Sequence, residues 1–69
     1  MATAAAPRSA QETIKHLEKC IVDGDIAAMA LDIGDLHERW GTLDSATQSD
    51  VMKLEAIFLT MLQARSRVN

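Results

Sequence analysis

An all-α fold follows from three features of the sequence. Apolar residues recur at three- and four-residue spacing through most of its length, Ser and Asp stand ahead of those runs where helix caps belong, and no stretch alternates apolar with polar as a half-buried strand would. The expected architecture is a small two- or three-helix unit with a C-terminal antiparallel helical hairpin, dimerised into a helical bundle. Residues 1–8 read as a disordered tail punctuated by Pro7, and residues 9–69 as a single helical domain with helices at about 10–23, 25–40 and 45–67.

Ser9-Ala-Gln-Glu12 fits a capping box, with Ser9 and Glu12 each bonding the other's backbone amide. Behind it Ala10, Ile14, Leu17 and Ile21 fall on one helix face. Asp23-Gly24-Asp25 then interrupts: Gly24 suits a left-handed C-terminal cap, and Asp25 suits the N-cap of the next helix. That helix carries Ile26, Met29, Ile33, Leu36 and Trp40 at alternating spacings of three and four, and Gly41 would end it. From Ile21 to Ile26 the stripe turns by about 140°, which favours a true break at Gly24. One kinked helix using Val22, Ile26 and Met29 is the alternative. Leu31 stands off the stripe among Asp32, Asp35, Glu38 and Arg39, on the face expected to be wet.

In the connection Thr42-Leu43-Asp44-Ser45, either Asp44 or Ser45 suits the N-cap of the last helix, Ser45 pairing with Gln48 in a second capping box. With Val51 at zero on a helical wheel, Leu54, Phe58 and Leu62 lie close to it. Ile57, Met61 and Val68 lie to one side, Met52 and Leu59 to the other. The apolar arc spans roughly 220°, about twice what a helix needs to face one core. Glu55 and Ser66 weaken the flank near Leu59. Either the chain's own helices flank this one on both sides, or a second molecule covers what they leave bare.

Composition excludes several classes. Ten carboxylates against seven Lys and Arg give a net charge of −3, the wrong sign for a polyanion partner, so neither nucleic acid nor a membrane surface is expected. The opening residues carry no basic, long apolar leader, so no secretory signal is expected. No run approaches the roughly 18 apolar residues of a membrane span. The single Cys20 cannot form an internal disulfide, which points to a reducing compartment, most simply the cytoplasm; a covalent dimer is the minor alternative.

Candidate chemistry is sparse. His16 and Cys20, four apart, share a helix face and could offer two zinc ligands, but no second pair stands at ligand spacing, and His37 would have to come from another helix. No metal, cofactor or catalytic residue is therefore expected. Cys20 and His16 as nucleophile and base would still need a third orienting group, so Cys20 reads as a small packing residue and the protein as no enzyme. The acidic run from Asp23 to Asp35 lacks EF-hand spacing.

The expected function is non-enzymatic protein binding through helix–helix contacts, as a homodimer. The interface residues would be Phe58, Leu59, Met61 and Leu62, helped by Leu31, Arg39 and Trp40; Trp40 suits either the core or an interface anchor. In size and helical make-up the chain resembles small bacterial or phage-encoded anti-activators, and equally the small helical co-chaperones of secretion systems. Those resemblances imply an inhibitor or an adaptor. The alternative is a helix-turn-helix DNA-binding regulator, with Trp40 to Asp44 as the turn and Ser45, Thr47, Gln48 and Ser49 at the front of the reading helix.

Overall fold

The computed structural model describes residues 9–66. The expected tail over residues 1–8, and Arg67 and Val68 at the far end, lie outside the described residues. Three α-helices follow one another: α1 (Ala10–Asp23), α2 (Ile26–Glu38) and α3 (Ser45–Ser66), with a short 3₁₀ turn (Trp40–Thr42) between α2 and α3. No strand occurs among the described residues.

Local chemistry sets the boundaries. At the start of α1 the Ser9 amide donates to Glu12 Oε1 at 3.0 Å, and the Glu12 amide donates to Ser9 Oγ at 3.1 Å. At its end Gly24 takes φ 73°, and the amides of Gly24 and Asp25 donate back to the carbonyls of Ile21 and Cys20. That paired closure is a Schellman stop, so α1 and α2 are separate helices and not one kinked rod. Asp25 then caps α2 by accepting from the Ala28 amide at 3.1 Å.

Two boundaries differ from expectation. α2 ends at Glu38 and not at Trp40, because the chain tightens into the 3₁₀ turn. Two side chains reinforce the turn's own backbone bonds: the Arg39 carbonyl accepts from the Thr42 amide and from Thr42 Oγ1 at 2.7 Å, and the Trp40 carbonyl accepts from the Leu43 amide and from Gln48 Nε2 at 2.9 Å. The same bond removes the Ser45–Gln48 capping box. Asp44 caps α3 instead, accepting from the Thr47 amide at 2.8 Å.

The core is one cluster. Ile14, Leu17 and Cys20 come from α1, Met29, Ile33 and Leu36 from α2, and Val51 from α3. Leu17, Met29, Leu36 and Val51 are fully buried, each contributing about 1.5–3 kcal/mol relative to exposure. Trp40, Leu43, Leu54, Phe58 and Met61 pack around the cluster, partly buried. The shared face of α1 and α2 thus supplies most of the core, and α3 packs against it. One residue reverses its expected placement: Asp32, read as part of the wet face, is only 8% exposed. It turns inward because a partner on α1 receives its carboxylate, as described below.

Candidate functional site

The 22 residues of α3 carry two heptad seams offset by one position. The inner seam is Thr47, Val51, Leu54, Phe58 and Met61, at spacings of four, three, four and three. Thr47 and Val51 are buried, and the other three are partly buried against the core. The outer seam is Gln48, Met52, Glu55, Leu59 and Leu62, with the same spacing, rotated by about 100°. Its apolar members stand in solvent: Met52 is 60% exposed, Leu59 48% and Leu62 39%. Ile57, on the opposite flank, is also exposed. Two seams on one rod explain the very wide apolar arc, and the chain's own helices cover one of them.

The expected interface residues therefore divide. Leu59 and Leu62 lie on the bare seam, whereas Phe58 and Met61 turn partly into the core. Leu31 is exposed on α2, beside a shallow groove lined by Ala30, Gly34, Asp35 and Glu38. Arg39 reaches back one helical turn to Asp35, with Nη2 and Oδ2 at 2.7 Å. Trp40 is half-buried and stacks on His37, their ring centroids 5.2 Å apart. His37 Nε2 in turn lies 3.1 Å from Glu55 Oε1, which ties the one charged member of the outer seam to α2. Val22, which the kinked-helix alternative would have placed on the apolar stripe, is instead exposed at the end of α1.

The front of α3 is occupied by internal contacts. Thr47 is buried with its hydroxyl 3.4 Å from Gln11 Nε2, and the Gln48 amide is bonded to Trp40. Of the four residues that a helix-turn-helix would use to touch bases, only Ser45 and Ser49 face solvent freely enough to do so.

A second constellation joins α1 to α2. His16 Nδ1 lies 2.5 Å from Asp32 Oδ2 and 3.6 Å from Cys20 Sγ, and Cys20 Sγ lies 4.0 Å from the same Asp32 oxygen. Cys20 and Asp32 are buried, while the His16 side chain keeps 40% exposure. Asp32 approaches Nδ1 alone, whereas Cys20 Sγ lies beside the ring, 3.6 Å from Nδ1 and 4.0 Å from Nε2. A nucleophile–base–orienter relay needs the thiol in line with the nitrogen opposite the carboxylate, and Sγ is in line with neither. It does bring three metal-ligating atoms within 4.8 Å of one another. Sequence reasoning found the His16–Cys20 pair and missed Asp32. No local signal marked Asp32, because its partner lies sixteen positions away on another helix.

No family model, no curated protein and no solved structure matches this chain. Among the described residues, no helix is long and apolar enough to cross a membrane.

Proposed function

We propose that this chain is a non-enzymatic protein-binding module whose first partner is a second copy of itself, docked along the outer seam of α3. The observation that carries the reading is the exposure of Met52, Leu59 and Leu62 at heptad spacing on a helix whose other seam is already used. In a parallel pair, Glu55 would face its own copy across the seam. An antiparallel pair sets Met52 against Leu62 and Glu55 against Leu59, removes that repulsion and opposes the helix dipoles. Within each copy, α2 and α3 form the antiparallel hairpin around the 3₁₀ turn. The pair of hairpins then makes a helical bundle, closed by a two-fold axis as most homodimers are.

Leu31 and its groove stay outside that seam and suit a different protein, with Arg39 and Trp40 near the end of the same helix. A dimer with such a second contact is an adaptor or an inhibitor that works by covering a partner's surface, and it requires no chemistry of its own.

The test is molar mass in solution by light scattering. Wild type is expected as a dimer, Leu59→Glu and Leu62→Glu as monomers of unchanged helix content, and Ile57→Glu, on the far flank, as a dimer. Wild type that remains monomeric at about 0.1 mM, above the micromolar Kd expected of such a contact, would overturn the reading.

A further inference from the structure

We propose that His16, Cys20 and Asp32 bind one divalent transition-metal ion of the zinc type, clamping α1 to α2. The inference is independent of the dimer. His16 and Cys20 stand one turn apart on α1, which places Nδ1 and Sγ 3.6 Å apart, and Asp32 on α2 brings Oδ2 to 2.5 and 4.0 Å from them. In a tetrahedral zinc site, bond lengths of about 2.0–2.3 Å put neighbouring N, O and S ligand atoms about 3.4–3.6 Å apart. The thiol and imidazole are already at that separation, and because Sγ also lies 4.0 Å from Nε2, the partly exposed His16 ring has to turn to aim Nδ1 between the thiol and the carboxylate. The carboxylate oxygen has to move about 0.9 Å from the ring nitrogen and about 0.4 Å toward the sulfur.

Charge and softness fit the same ion. A thiolate and a carboxylate together balance a dication, and the neutral imidazole adds none, so no net charge is left among the buried ligands. Binding forms metal–S, metal–N and metal–O bonds. Cys20 releases its thiol proton to solvent, and the ion displaces the proton that bridges His16 Nδ1 and Asp32 Oδ2 in the ion-free contact. A ring that starts neutral regains a proton on Nε2, so one proton leaves for each ion bound; a ring that starts as the imidazolium releases a second. Thiolate with imidazole favours zinc-type ions over magnesium or calcium, which take oxygen ligands. Three protein ligands leave a fourth position for water, reached from the exposed side of His16. The ion would tie together the two helices that supply most of this small core, a role metals commonly fill in chains of this size.

The experiment titrates the reduced 69-residue chain with Co²⁺ and then with Zn²⁺. One equivalent of Co²⁺ should raise a saturable sulfur-to-cobalt absorption, Zn²⁺ should bleach it, and Zn²⁺ should raise the Tm until a chelator is added. His16→Gln and Asp32→Asn keep the thiol, and each should weaken binding at least about tenfold, while His37→Gln should bind as wild type does. Absence of the thiolate absorption in wild type overturns the site by itself, whether or not a variant folds. Wild-type affinity in either His16→Gln or Asp32→Asn also overturns it, leaving the cluster as a hydrogen-bonded contact between helices.

Discussion

Asp44 is exposed, yet hydrogen bonds from Thr47, the side-chain bond first and the backbone bond second, hold its carboxyl below the ordinary 3.8. Because the folded state favours the ionised form, the capping contribution is present above pH 3.8 and is lost as pH falls through the folded value. Asp44→Ala should therefore lower the Tm by roughly a few degrees near neutral pH, as loss of an N-cap does. The gap to wild type should close as acid protonates Asp44 in the parent. A gap of constant size throughout an acid titration followed by thermal melts would show that the carboxylate is not the cap. The Ser9–Glu12 cap is legible in sequence because donor and acceptor lie within one turn of each other, whereas at the last helix the same local rule leaves Asp44 and Ser45 open and the structure selects Asp44. Asp32 was not legible. Its inward turn depends on His16, sixteen positions away, and an aspartate between a leucine and an isoleucine reads as solvated unless that partner is known.

Gly24 and Gly34 make opposite demands on their elements. Gly24 has φ 73° and nothing within 4 Å of where a Cβ would stand, so a side chain there is opposed by backbone conformation alone. Gly24→Ala should destabilise by about 1–2 kcal/mol. Gly34 lies inside α2, also with open space around its Cβ position, and Gly34→Ala should stabilise by about 0.5–1 kcal/mol. Denaturant midpoints of the two variants should thus move in opposite directions, and a shift of the same sign in both would refute this account of the α1–α2 break. At this scale most of the fold was readable: the caps and the helical spacing placed α1, α2 and α3 to within a residue or two. The end of α2 was misplaced because Trp40 continues the stripe in perfect spacing. The chain instead closes a 3₁₀ turn, in which the Trp40 carbonyl accepts from the Leu43 amide and from the Gln48 side chain of the next helix, and apolar spacing carries no trace of either bond. The breadth of α3 was read correctly as an arc, but only the packing resolves it into two seams and assigns Phe58 and Met61 to the inner one.

At the scale of the molecule, stability and association are one question. Among the described residues seven buried apolar side chains form the core, and α3 contributes one of them, Val51, so α3 is held mainly by half-buried contacts along its inner seam. If the outer seams of two copies pack together, the free energy of that contact is also folding free energy, and the melting point must depend on protein concentration. For a dimer that dissociates as it unfolds, each tenfold increase in concentration adds about 0.7 kcal/mol per chain, or roughly 3–5 °C in a domain of this length. Thermal melts of wild type over two decades of concentration should show that rise. Leu59→Glu should melt at a single temperature throughout, since it cannot gain from mass action. Leu31→Glu should follow wild type, because its groove on α2 is assigned to another protein and not to the second copy. A wild-type midpoint that does not move with concentration would mean that α3 gains its order from the chain's own helices alone. In that case the exposed Met52, Leu59 and Leu62 would be ordinary surface leucines and methionine, as single apolar residues on small proteins often are.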